Sequence, residues 1–159
     1  MAAKRSAGIL LYRRRVGEPE FLLVHPGGPY WAKRDKESWS IPKGEIEPDE
    51  ETRACALREL REELGPAPEL VPEQLIALGQ VRQKSGKVVE AWGAEGDFDT
   101  GALESITFAM EWPPRSGKQS EFPEVDRAEW FGEARARAKI LPAQAPFIDR
   151  LLAHLSAAP

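Results

Sequence analysis

One cysteine, Cys55, stands in a chain of 159 residues. It has no partner for an internal disulfide, which agrees with a reducing, cytoplasmic setting. Histidine is almost as scarce, with only His25 and His154. Neither holds a recognisable spacing to a catalytic partner, so thiol chemistry has no framework here; Cys55 reads as a small filler and the histidines as structural or surface residues. No stretch approaches the roughly 20 apolar residues that a membrane span needs. The apolar run from Gly8 to Tyr12 is too short for a secretion leader and runs straight into Arg13-Arg14-Arg15. Basic residues are not in excess: 22 Lys and Arg stand against 26 Asp and Glu, a net charge of −4. Without a basic stripe, an extended RNA or DNA footprint is not expected. With 30% charged and 42% hydrophobic residues, the chain has the composition of a soluble globular protein. Its length suits one domain, residues 1–159, with a single substantial core.

What the chain has in abundance is acid in one place. Residues 45–63 carry eight acidic and three basic side chains, a net of −5 where the whole chain has −4. From Thr52 to Leu64 neither Gly nor Pro interrupts, so the spacing predicts a helix, with Pro48 and Asp49 at its start. Gly65 supplies a stop and Pro66 forbids continuation. At about 100° per residue, Glu59, Glu62 and Glu63 fall on one arc, while Leu57, Leu60 and Leu64 fall nearly opposite. One face packs inward and the other presents three carboxylates to a shared point. Like charges this close oppose one another by a few tenths of a kcal/mol per pair, roughly, and a divalent cation removes that penalty. Oxygen-only ligands select hard ions, magnesium, manganese or calcium rather than zinc.

The same residues carry a family resemblance. Gly44, Glu50, Arg58, Glu59, Leu60, Glu62, Glu63 and Gly65 match the pattern G-x5-E-x7-R-E-U-x-E-E-x-G-U, with U apolar, and only Pro66 departs from it. The segment resembles the box of the Nudix hydrolases. Trp39-Ser40-Ile41-Pro42-Lys43-Gly44 looks like the W-x-x-P-K-G lead-in of several Nudix branches, and residues 6–12 look like the family's opening strand. The resemblance implies an α+β fold, the Nudix α/β/α sandwich with a mixed sheet between helices. It also implies hydrolysis of a phosphate anhydride with Mg2+ or Mn2+. Glu59, Glu62 and Glu63 would ligate the metal with a backbone carbonyl beside Gly44, Arg58 would orient carboxylates with Glu50 as a partner, and Glu62 would be central to catalysis. A further carboxylate, ligand or general base, is expected six residues before a strand aromatic: Glu124 precedes Trp130 by six, with Glu121 as the alternative.

Substrate contacts are less specified. Lys43 has two open readings, a contact to a substrate phosphate or an ordinary surface lysine. Tyr30 and Trp31, in the loop before the box, are placed to stack on a base or simply to anchor the loop. Arg115 and Lys118, in the basic stretch 113–118, are assigned either to distal phosphates or to solvent. The lead-in resembles branches acting on dinucleoside polyphosphates, capped RNA ends or inositol pyrophosphates. A small nucleotide is therefore the expected partner, with dinucleoside polyphosphates ahead of nucleoside triphosphates; an RNA 5′ end and a non-cleaving regulatory module are the alternatives, and oligomeric state is open.

Elsewhere the pattern predicts strands at 7–12 and 21–25, a hairpin of 75–83 and 88–95 about Lys84-Ser85-Gly86-Lys87, a strand at 106–112 and a short strand at 129–131. Helices are expected at 133–140 and 145–155, separated by Pro142, and 156–159 as a frayed tail.

Overall fold

The computed structural model describes residues 4–157. In chain order the elements are β1 (Arg5–Arg15), β2 (Glu18–Pro26), β3 (Lys43–Glu45), α1 (Thr52–Leu64), β4 (Ile76–Arg82), β5 (Val88–Glu95), β6 (Thr107–Glu111), β7 (Gln119–Pro123), β8 (Val125–Gly132), α2 (Glu133–Lys139) and α3 (Ala145–Ala157). The main sheet runs β4-β5-β1-β2-β8. β1 and β5 are parallel, and the other neighbours antiparallel, so the sheet is mixed.

β1 is the axis of the fold, and its pairing forks. Its C-terminal half pairs with β2 and its N-terminal half with β3, Gly8 lying opposite Lys43 and Ser6 opposite Glu45. The fork holds the lead-in segment: Ser40 exchanges backbone hydrogen bonds with Val24 at 2.8 and 2.9 Å, and Ile9 donates to the Pro42 carbonyl at 3.1 Å. Trp39 is therefore a core residue, edge-on to Phe131 at 5.1 Å and His25 at 5.2 Å.

Strand alternation feeds two cores. Ile9 and Leu11, with Leu22 and Val24, meet Cys55, Ala56, Leu57, Leu60 and Leu64 of α1. Leu10 and Tyr12, with Phe21 and Leu23, meet Trp39, Ile140, Phe147, Ile148 and Leu151 under α2 and α3. Helices thus cover both faces, giving the expected α/β/α sandwich. No helix among the described residues is long and apolar enough to cross a membrane.

Several expectations need correction. The box helix spans the predicted residues, but Pro48 and Asp49 do not begin it. Glu51 is its cap, accepting from the Ala54 N–H at 2.8 Å, and Asp49 takes φ 65° in the turn before it. Glu50 accepts from the Glu47 N–H and turns toward Arg58 instead of capping the helix. The short strand at 129–131 is the end of the eight-residue β8, whose first residues alternate too irregularly to read as strand. β3 and β7 were not expected; three residues, and a run with Pro123, give no periodic signal. With β7 present, 112–118 becomes the turn of a β6–β7 hairpin that forms a second sheet. Of the expected frayed tail, Ser156 and Ala157 are helical, and Ala158 and Pro159 lie outside the described residues.

Candidate active site

The outward face of α1, β3 and the junction of β7 with β8 enclose a cleft of about 380 Å³ lined by Lys43, Gly44, Glu45, Glu59, Glu62, Glu63, Lys87, Ile106 and Glu124. α1 supplies three carboxylates because its leucines hold its other side on the sheet. β3 enters at the fork in β1, which sets Lys43 and Gly44 beside Glu63 and Glu59. The cleft is brought to its far wall by Ile106, whose N–H donates to the Glu62 carbonyl at 2.9 Å and whose carbonyl accepts from the Glu124 N–H at 2.8 Å.

Arg58 organises the acid face. Its Nε and Nη2 grip Glu50 in a two-pronged pair at 2.7 and 3.0 Å, and Nη1 donates to Glu59 at 3.0 Å and to both oxygens of Glu62 at 3.0 and 3.1 Å. That fork fits carboxylates in the way a lysine cannot. It draws the Glu50 carboxyl down to about 2. Glu59 moves the opposite way: burial, then the charge of Glu62, push its carboxyl up. Glu63 accepts from the Lys43 N–H at 3.1 Å; burial pushes the Glu63 carboxyl above the usual carboxylate range and the Lys43 ammonium down. The shifts of Glu59, Glu63 and Lys43 share one leading cause, withdrawal of water from charge.

Gly44 is dictated by contact. A Cβ there would fall 2.0 to 2.2 Å from the three carboxylate atoms of Glu59, so only glycine lets that carboxylate lie against the β3 backbone. Gly65 ends α1 at φ 83°, its N–H returning to the Arg61 carbonyl, which places Pro66 beyond the helix and away from the cleft lining. Cys55 is buried, and burial pushes its thiol up to about 12; it fills space under α1.

A second, apolar cavity of about 600 Å³ adjoins the first. Its walls are Pro26, Trp31, Ser38, Ser40, Lys43, Gln83, Lys84, Ser85 and residues 141–143. A smaller hollow containing Lys43, Glu63 and Glu124 joins the two. Lys43 thus borders all three spaces. Lys87 and Lys84, from the β4–β5 turn, face the carboxylate cleft and the apolar cavity respectively. Sequence reasoning did not reach these two lysines or Gln83, because nothing in a turn's composition reports which helix it will overhang.

The other sequence-derived residues are distributed as follows. Glu124 lines the cleft, whereas Glu121 sits on β7 opposite Ala109. Trp31 lines the apolar cavity. Tyr30 does not; it is 61% exposed and stands edge-on to Trp112 at 5.4 Å. Arg115 and Lys118 lie in the exposed turn of the β6–β7 hairpin, away from the linings of all three spaces.

The donor set fits a hard divalent ion: carboxylates from Glu59, Glu62, Glu63 and Glu124 with the Gly44 carbonyl at hand, all oxygen. Among the described residues, no three His, Cys, Asp or Glu side chains already converge on one point. Arg58 holds Glu59 and Glu62, and the Lys43 backbone holds Glu63, so mutual repulsion is relieved by these donors instead.

A mixed sheet sandwiched between helices, with a carboxylate helix facing the fork of its central strand, defines a Nudix-type fold. The NUDIX domain family model matches residues 2–151, and the chain belongs to the Nudix family. It is 36% identical over 59 residues to the asymmetrical bis(5'-nucleosyl)-tetraphosphatase of Caenorhabditis elegans, covering 37% of this chain and 38% of that protein. It is 42% identical over 62 residues to the RNA pyrophosphohydrolase of Hahella chejuensis, covering 38% and 37%. The chain therefore matches under two fifths of the length of either relative. In solved structures it resembles a C. elegans Ap4A hydrolase binary complex with TM-score 0.65 and 22% identity, over 96% of this chain and 99% of that one.

Proposed function

We propose that this protein is a metal-dependent pyrophosphohydrolase acting on a small nucleotide with a polyphosphate chain, a dinucleoside polyphosphate ahead of a nucleoside triphosphate. The observation that carries the reading is the juxtaposition of an oxygen-lined cleft with a nucleoside-sized apolar cavity across Lys43. Partial identity to the tetraphosphatase supports the substrate class.

Glu59, Glu62, Glu63 and the Gly44 carbonyl would hold Mg2+ or Mn2+, with Glu124 as a further ligand or the general base. The bound ion supplies Lewis-acid neutralisation of the phosphate oxygens. Arg58 keeps Glu59 and Glu62 aimed at the cleft. As the general base, Glu124, on the wall facing α1, would take the proton from the water whose oxygen bonds to phosphorus, while the bridging P–O bond breaks and its electron pair leaves on the departing phosphate oxygen. Lys43 and Lys87 meet the charge of the phosphate chain as it leaves the carboxylates, and Trp31 stacks on the base in the apolar cavity.

Identity to the RNA pyrophosphohydrolase favours a second reading, cleavage at a triphosphorylated RNA 5′ end. The net charge of −4 gives little to hold a long RNA, so only its terminus would be engaged. The test is phosphate release and product chromatography with diadenosine tetraphosphate, nucleoside triphosphates, nucleoside diphosphate sugars and triphosphorylated RNA, each with Mg2+, Mn2+ or chelator. Chelator-sensitive splitting of the dinucleotide supports the first reading, and preference for RNA the second. Metal binding without turnover of any substrate points to a regulatory Nudix module.

A further inference from the structure

The end of β2 grips the residues around Glu124 at several points, and none of the gripping side chains lines the carboxylate cleft. The Gly27 N–H donates to the Glu124 carbonyl at 2.9 Å. A Cβ on Gly27 would lie 1.9 Å from the Pro123 carbonyl oxygen and 2.9 Å from its carbon. These are backbone atoms, so the clash cannot be relieved by turning a side chain. The β2–β8 register shifts between His25 and Pro26: His25 stands opposite Arg127 but Pro26 opposite Val125. Irregularities of this kind bend a strand and re-aim its side chains, and here the irregularity lies beside Glu124.

His25 ties that point to a second one. Its fully buried ring sets Nδ1 2.7 Å from Asp126 Oδ1 and Nε2 2.6 Å from the Arg34 carbonyl. The Arg34 N–H in turn donates to the Trp31 carbonyl at 2.9 Å. A path of hydrogen bonds therefore runs from the Trp31 backbone, beside the apolar cavity, through Arg34 and His25 to Asp126, which stands two residues along the chain from Glu124 in the carboxylate cleft.

We infer that Gly27 and His25 are positioning residues: Gly27 sets the place of Glu124 in the cleft, and His25 locks that place to the loop carrying Trp31, so that the catalytic and nucleoside walls of the site are held as one piece. The inference rests on the role given above to Glu124. Merely structural roles for Gly27 and His25 would lower the melting temperature and leave kcat and KM of the folded enzyme unchanged.

The experiment compares wild type, Glu124→Gln, Gly27→Ala, the Gly27→Ala/Glu124→Gln double variant and His25→Phe. Each is assayed for kcat and KM with diadenosine tetraphosphate and Mg2+, and crystal structures are solved of wild type, Gly27→Ala and His25→Phe. Gly27→Ala is expected to lower kcat about 10²-fold, the scale of a misplacement near 1 Å, with KM nearly unchanged, and to add nothing to the loss in Glu124→Gln. His25→Phe keeps a ring against Trp39 but loses both hydrogen bonds; it is expected to lower kcat and raise KM together. Wild-type kcat in Gly27→Ala, or a loss that adds fully to that of Glu124→Gln, overturns the inference while leaving Glu124 in its role. Full activity in Glu124→Gln overturns that role and the inference with it. If Gly27→Ala does not fold, His25→Phe decides, and unchanged kcat and KM there overturn the coupling. If wild type leaves the dinucleotide intact, the functional reading fails and the crystal structures decide: a displaced Glu124 carboxylate in the variants supports positioning, and an unmoved one overturns it.

Discussion

The carboxylate cleft takes six of its nine lining residues from positions 43–63, whereas the apolar cavity gathers its walls from residues 26–43, 83–85 and 141–143. One is built from a helix and the strand just before it. The other exists only after the β4–β5 turn and the α2–α3 connection have been folded over the same loop. On the proposed function this difference would divide the work: the local region would fix the bond chemistry, and the dispersed region would fix which molecule is brought to it. Lys43 belongs to both, and substitutions on either side of it should therefore move different kinetic constants.

The largest effect is expected on the local side. Glu62→Gln keeps the shape of the side chain and removes its charge, and turnover of the cleaved substrate should fall about 10³-fold. Arg58 keeps Glu50 and Glu59 as partners, so thermal denaturation should shift by only a few degrees. If Glu59→Gln, Glu62→Gln and Glu63→Gln all retained wild-type rates, the metal assignment would be wrong. Gly44→Ala comes next. Its methyl group needs the volume now filled by the Glu59 carboxylate; turnover should drop about 10²-fold and Mn2+ binding, followed by electron paramagnetic resonance, should weaken, with the fold intact. Undiminished Mn2+ affinity would show that the close approach of Glu59 to β3 is dispensable.

On the dispersed side the constants should separate differently. Trp31→Ala is expected to raise KM about tenfold, near the lower end of what stacking on a base is worth, and to leave kcat within about twofold. Equal loss of kcat would mean that Trp31 reaches the reacting phosphate, and the two regions would no longer be separable.

The same division decides what could be read without a structure. The helix from Thr52 to Leu64, its carboxylates and the glycine that ends it are periodic and local, so spacing reveals them. Glu124 was reachable through its offset from Trp130, with Glu121 as the alternative; that Glu124 lines the cleft and Glu121 does not becomes visible only with β7, a five-residue strand that carries no clear alternation. Lys84 and Lys87 sat inside a correctly expected hairpin turn. What spacing cannot carry is the parallel pairing of β1 with β5, which swings that turn across the sheet to face α1. Arg115 and Tyr30 illustrate the converse: residue type and loop position recommended them, but the β6–β7 turn carries the Arg115 side chain into solvent, and Tyr30 stands edge-on to Trp112 outside the cavity lining.

The smallest effect is accordingly expected at Arg115. Its backbone N–H donates to the Glu111 carboxylate at 2.9 Å and its φ is 62°, so the backbone has a defined place in the hairpin turn while the exposed side chain meets solvent. Arg115→Ala should leave kcat and KM within about twofold, and stability within about 0.5 kcal/mol, as for ordinary surface positions. Steady-state kinetics with tetraphosphate and triphosphate substrates side by side would check it. A tenfold rise in KM confined to the longer substrate would place the hairpin tip against distal phosphates during turnover. The dispersed half of the site would then extend to β6 and β7, and the hairpin that presents Glu124 at its base would also read chain length at its tip.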